Sequence, residues 1–197
     1  MSLFQEIKES AEGRELSIKS FQNRIKLLGG SSLRNPRNLI HDEEGHGIAR
    51  ARPGYGELNL FGYFPEKPDR LSYYDLFPIV LPLVRHRNGF TGLNFHYLPP
   101  VLRVKLLTIL AEAYGDEPTQ RINVTYFMIR QMRLIKPIIR RYIRTQVQTL
   151  YLRIPLDDML IGILLPVQQF TTGPEGRTSA VLPREGLRQS RGQIYGA

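Results

Sequence analysis

Three stretches of the sequence carry side chains that could do chemistry. "HDEEGH", residues 41–46, crowds two histidines and three carboxylates together, the donor types a divalent metal would take. Its spacing is not the helical HExxH pattern, and glycine-rich linker text surrounds it. It reads as a solvated cluster. "GFTGLNFHYLPP", residues 89–100, sets Asn94 and His96 among glycines and aromatics ahead of a double proline, like the mouth of a site. A histidine acting as general base needs a carboxylate to orient it, and none is evident nearby in the chain. His96 therefore reads as a structural hydrogen-bonder at a strand end. The third stretch runs from Thr119 to Pro155 without one acidic residue, yet holds Arg121, Arg130, Arg133, Lys136, Arg140, Arg141, Arg144 and Arg153.

That third stretch is the strongest signal. A solvated face usually mixes both signs and gains a few tenths of a kcal/mol from each close pair. One that accumulates a single sign is relieved by an external anion, and phosphates gain further from counterion release. The candidate contacts are Arg130, Arg133, Lys136, Arg140, Arg141 and Arg144, and their partner is either nucleic acid or an acidic protein surface. The whole chain has a net charge of +9, and residues 119–197 supply 12 basic against 4 acidic side chains. Arginine outnumbers lysine 21 to 6, which favours forked contacts to phosphate or carboxylate over point charges.

Enzyme chemistry finds little footing. A metal nuclease needs carboxylates converging on a divalent ion, and Asp69 and Asp75 flank the expected strands without an acidic pair and following lysine. No Walker loop or GxSxG is present, and zero cysteines exclude thiol catalysis, thiolate metal sites and disulfides. The expectation is a non-enzymatic protein without cofactor or metal. No apolar run approaches the roughly 20 residues of a membrane span, and the first ten residues do not read as a signal peptide, so a soluble intracellular product is expected.

The elements that position these residues follow from periodicity. Residues 1–54 read as a helical arm and linker, with Phe4, Ile7, Ala11 and then Ile18, Phe21, Ile25 and Leu28 at helical spacing. Residues 55–170 read as an α+β core. "GELNLFGYF", "YYDLFPIVLPLV" and "FTGLNFHYL" predict strands, and Pro78 and Pro82 within them predict bulges or edges. A small, strongly bent antiparallel sheet or SH3-like barrel is expected, flanked by helices. Pro99 and Pro100 open a helix with Leu102, Leu106, Ile109, Leu110 and Ala113 on one face, and Gly115 stops it. A second helix is predicted from Ile122 to about Leu134. A third, from Pro137, would bury Ile139, Ile143, Val147 and Leu150 with Arg140, Arg141, Arg144 and Gln148 opposite. "MLIGILLP" is expected to return as a strand. Residues 171–197 lack periodicity and read as a basic, flexible tail.

Taken in order, "LSYYDLFPIVLPL", "GFTGLNFHYLPPVLRVKLL", "KPIIRRYIRTQV" and "LDDMLIGILLPVQQF" resemble a small virion protein family of T-even-type tailed bacteriophages, the DNA end protectors. The resemblance covers about 57–170. Its matching residues are Tyr74, Asp75, Pro78, Gly89, Gly92, Asn94, His96, Tyr97, Pro99, Arg103, Lys136, Pro137, Arg141 and Tyr142. It implies a non-enzymatic virion protein that associates with the ends of the packaged genome and shields them from exonuclease. Tyr74, Asp75, Gly92, Asn94, His96, Tyr97, Pro99 and Pro137 would then be hallmarks of the scaffold. The alternative is a structural joint of the neck, tail or baseplate, whose arms and arginines bind neighbouring phage structural proteins. Both readings expect a place in the virion, within a symmetric oligomer, and no membrane partner.

Overall fold

The computed structural model describes residues 48–116, 121–122, 135–154, 159–164, 167–172 and 176–179. The fold is α+β with antiparallel sheets. Six strands form the main sheet: β1 (Ile48–Arg50), β2 (Leu58–Leu60), β4 (Ile79–His86), β5 (Gly89–Asn94), β8 (Ile139–Ile143) and β9 (Tyr151–Ile154), ordered β1-β9-β2-β4-β5-β8. A second sheet places β3 (Tyr73–Asp75) beside β10 (Phe170–Thr172), which pairs in turn with β11 (Thr178–Ser179). Gly115–Asp116 (β6) and Arg121–Ile122 (β7) make a short ribbon. The main sheet ends on β1 and β8, which do not pair with each other, so it is an open sheet rather than a closed barrel.

Both faces of the main sheet bury apolar side chains, which explains why "IVLPLV" reads as a continuous apolar run. On one face, Leu58, Leu60, Ile79, Leu81 and Leu93 pack with Leu106, Leu107 and Leu110 of α1 (Pro100–Tyr114) and with Met159 and Ile163 of α2 (Met159–Leu164). On the other, Phe61, Tyr63, Val80, Phe90, Tyr142 and Tyr151 form an aromatic cluster. Phe61 meets the Tyr142 ring edge-on at 5.2 Å, and Phe90 stacks on Tyr142 at 5.3 Å. Such offset and edge contacts each add about 0.5–1.5 kcal/mol beyond burial. Alternation along β4 and β5 sends Leu81 and Leu93 to the helices and Val80 and Phe90 to the rings.

The bulge expected from the prolines is present. Register shifts between Pro82 and Val84, and β2 pairs with β4 only at Ile79 and Val80. Beyond that point β4 keeps a neighbour on one side, where a proline costs the ladder little. Opposite Pro82 lies Gly92, where an added Cβ would stand 2.7 Å from the Leu81 carbonyl oxygen. The glycine permits the strands to close there.

The turn from sheet to helix also follows the sequence. β5 stops at Asn94, whose side chain accepts from the His96 N–H, and Phe95–Tyr97 coil as one 3-10 turn. Pro99 and Pro100 then open α1, with the Pro99 carbonyl accepting from Leu102 and Arg103. Leu106 and Leu110 are buried as expected, and Gly115 lies just past the helix end.

Two expectations are overturned. The helix from Pro137 is instead a 3-10 turn (Lys136–Ile138), strand β8, a second 3-10 turn (Arg144–Gln146) and strand β9. Ile139, Ile143, Val147 and Leu150 do mark a helical period, but β-branched and aromatic residues dominate the segment and favour strands. Tyr142, expected on neither face, is the buried residue of β8. "MLIGILLP" is a helix through Leu164, not a strand; a short apolar run does not separate the two by pattern alone. Gly162 lets it approach, since a Cβ there would come 2.9 Å from Ile154 Cδ1.

Residues 1–47 of the expected arm and linker, with the "HDEEGH" cluster, and residues 123–134 of the expected second helix lie outside the described residues; Ile122, expected to start that helix, belongs to β7 instead. Ile48–Arg50 pairs with β9, and Thr171 and Thr172 pair with β3, so the sheets take up chain on both sides of 55–170. Among the described residues, no helix is long and apolar enough to cross a membrane.

Candidate nucleic-acid interface

A buried polar network stands behind the sheet. Asp75, the last residue of β3, is 3% exposed and holds four donors. Its Oδ1 accepts from the N–H groups of Phe77 at 3.2 Å and Gln169 at 3.4 Å. Its Oδ2 accepts from Asn94 Nδ2 at 3.2 Å and His96 Nδ1 at 2.7 Å. The acid partner that the local sequence around His96 does not offer is therefore Asp75, 21 residues earlier, brought close because the turn after β5 folds beside β3. Arg103 is also buried. It donates through Nε to the Leu98 carbonyl at 2.8 Å, through Nη1 to Ile163 at 2.9 Å and through Nη2 to His96 at 3.4 Å. Burial lowers its pKa to about 10 while the Asp75 charge opposes that, so Arg103 remains a cation at neutral pH, balanced by the Asp75 carboxylate.

Burial likewise lowers the pKa of His96; the charge of Asp75 and its hydrogen bond oppose this, and Arg103 adds to it. With Nδ1–H donating to Asp75, an extra proton would go to Nε2, which is buried without a hydrogen-bond partner among the described residues. The folded state thus resists protonation while the unfolded chain takes it up near the ordinary pKa of about 6.5. Between the folded and unfolded values the unfolded state binds more protons, so stability is present above about pH 6.5 and is lost as pH falls below it. Urea midpoints measured from pH 8 to pH 5 are expected to fall below about pH 6.5 in the native sequence, with a shallower fall in His96→Gln. Equal slopes would remove His96 from the account.

The arginines occupy the opposite end of the sheet. β4 and β5 meet in a tight hairpin, with His86 paired to Gly89 and Arg87-Asn88 at its tip. β8 runs along β5 and ends at this tip, Ile143 opposite Gly89. The Asn88 carbonyl accepts from the Arg144 N–H at 2.8 Å, and Asn88 Oδ1 accepts from Arg141 Nη2 at 3.1 Å. Arg141 and Arg144 thus bond Asn88, Arg87 precedes it in the connection, and Arg85 lies near the end of β4 opposite Phe90; all four arginines are exposed. Arg85 and Arg144 lie on the aromatic side, where their charges act on Tyr55 and Tyr151 respectively. Arg141 lies on the other face, in register with Thr91. None of the four makes an ion pair with a carboxylate among the described residues.

The expected contact residues divide accordingly. Arg130 and Arg133 lie outside the described residues. Lys136 is exposed at the head of the 3-10 turn that also holds Pro137. Arg140 is half-buried, its guanidinium 4.1 Å above the Tyr97 ring and Nη1 donating to its neighbour's carbonyl, so it is engaged inside the fold. Arg141 and Arg144 are open, on an edge strand and the turn after it rather than on a helix. Arg85 and Arg87 complete the rim, although the sequence presents them only as part of a turn. One arginine in the two-residue hairpin connection and another two residues before it were the available signal; their place beside β8 depends on β8 pairing with β5.

The scaffold residues meet elsewhere. Asp75, Asn94 and His96 share the buried network, Tyr97 lies under Arg140, Gly92 closes β4 on β5, Pro99 leads into α1, and Tyr74 supports Phe64 edge-on at 5.8 Å.

A family model described as the phage T4 terminal DNA protecting protein matches residues 34–181 of the chain. No curated protein and no solved structure matches it.

Proposed function

The chain belongs to the phage T4 terminal DNA protecting protein family, and on that premise we propose that it binds the ends of phage DNA as a non-enzymatic virion protein, gripping the phosphate backbone with the arginine rim around Asn88. The observation that carries this reading is the company of Arg85, Arg87, Arg141 and Arg144 at one end of the sheet without a carboxylate partner among the described residues. Unneutralised guanidinium groups at one end of a sheet are favoured by an external anion, and phosphates meet that need while releasing condensed counterions. Arginine's fork suits two phosphate oxygens at once. The non-enzymatic part rests on where the acid–base pair sits. Asp75 is committed to backbone and side-chain donors, and His96 is sealed in the core beside it, so no substrate reaches them.

Affinity for a linear duplex, measured over a range of salt concentrations, tests the reading. The logarithm of the association constant is expected to fall linearly with the logarithm of salt, by about 0.9 for each phosphate neutralised. A flat response would remove the phosphates from the account.

A second reading, a joint of the neck, tail or baseplate, draws on one observation: β1 and β8 each pair on one side only within the described sheet. Such edges accept a strand from a neighbouring subunit. That reading expects weak affinity for free DNA.

A further inference from the structure

Four connections of the fold converge on a cleft of about 480 Å³, lined in part by Gly62, Phe64, Leu76, Phe77, Gln148 and Gln169. This volume lies within the range of small-ligand sites. Its walls are fixed by backbone bonds: Gln148 N–H to the Gly62 carbonyl at 2.8 Å, Phe64 to Gln146 at 3.1 Å, Tyr63 to Leu76 at 2.9 Å and Leu76 to Gln169 at 2.8 Å. Asp75 adds the bonds to Phe77 and Gln169, so the buried network braces this cleft from behind.

Its lining has a particular chemistry. Phe64 is 45% exposed although it is a large aromatic, and Tyr74 holds its ring edge-on. Gln148 is exposed, with Nε2 donating to the Gln146 carbonyl at 3.2 Å. The Gln169 side chain is half-buried and makes no hydrogen bond among the described residues. A free aromatic surface beside amides that both donate and accept suits a planar, hydrogen-bonding ring. Arg144 lies four residues before Gln148, which places it at most about 14 Å away along the chain. The basic rim is therefore joined to the cleft by the 3-10 turn Arg144–Gln146 and the residue after it.

We propose that this cleft receives the base of an unpaired terminal nucleotide, stacked on Phe64 and hydrogen-bonded at its edge by Gln148 and Gln169, while the rim holds the adjoining phosphates. The proposal rests on the DNA-binding reading above and extends it from affinity for DNA to recognition of an end. A continuous duplex offers no free base. A frayed or single-stranded end does.

The test uses the full chain and one duplex sequence prepared both as a linear molecule with short single-stranded ends and as a covalently closed circle. The native protein is expected to favour the linear form by roughly tenfold, the scale of one base stacked on an aromatic ring. Phe64→Ala is expected to lose that preference while keeping its affinity for the circle, and Phe64→Trp to retain it. Gln148→Ala, at an exposed position, is expected to lose part of it and guards against a folding defect in Phe64→Ala. Equal affinity of the native protein for both forms, or an end preference that survives Phe64→Ala, would overturn the proposal. Arg141→Glu with Arg144→Glu is expected to weaken binding to both forms. If it weakens neither, the DNA-binding reading beneath fails; if it weakens both while Phe64→Ala changes nothing, only the cleft is wrong.

Discussion

Replacing Asp75 with alanine is expected to destabilise the fold by about 3–5 kcal/mol, the usual cost of removing one partner of a buried charge pair. The substitution strips acceptors from four groups at once: the N–H groups of Phe77 and Gln169, Asn94 Nδ2 and His96 Nδ1. It also removes the carboxylate whose charge supports the buried Arg103 cation. A domain of ordinary stability has only about 5–15 kcal/mol to lose, so the variant should be marginal at 25 °C. Asp75→Asn keeps shape and an acceptor oxygen but not the charge, and should fall between. Urea denaturation at neutral pH measures both. A loss below about 1 kcal/mol for Asp75→Ala would show that the network does not hold β3, the turn after β5 and the residues before β10 together.

Reversing Arg141 and Arg144 to glutamate is expected to have the largest effect on binding. Each change takes away one phosphate-binding cation and puts an anion in its place. The slope of log affinity against log salt should become shallower by about 0.9 for each phosphate no longer neutralised, close to two for the pair, and affinity near 0.1 M salt should fall at least tenfold. Both residues are exposed on an edge strand and its following turn, where surface substitutions usually cost less than about 0.5 kcal/mol of stability. Arg140→Gln gives the contrast. That guanidinium lies over Tyr97, so its replacement should lower stability modestly and leave the salt slope unchanged. A salt slope that responds to Arg140 but not to Arg141 and Arg144 would relocate the binding surface.

Much of the scaffold was legible in local chemistry. The double proline before α1, the glycine after it, and the bulge at Pro82 are short-range effects, and each shows in a few consecutive residues. The path from Lys136 to Ile154 was not. Ile139, Ile143 and Val147 fit a helical period, while the strand that forms there is decided by pairing with Gly89–Leu93, nearly fifty residues earlier. The same distance hid the site. Asp75 and His96 are 21 residues apart and meet only when β3 and the turn after β5 are in place. Arg85 and Arg87 join Arg141 only through the β4–β5–β8 register. The charge of the 119–155 stretch was visible from composition, but not which arginines face outward: Arg140 and Arg141 are adjacent in sequence and go to opposite faces of the sheet.

The arginine rim is expected to grip DNA and thereby to shield its ends. The most direct test is the digestion rate of a linear duplex by a double-strand exonuclease, with the native protein and with the Arg141→Glu, Arg144→Glu variant at equal concentration. Slow digestion with the native protein, returning to the bare-DNA rate with the variant, is the expected result. Equal protection by both proteins, or none by the native protein despite measurable DNA binding, would contradict the account.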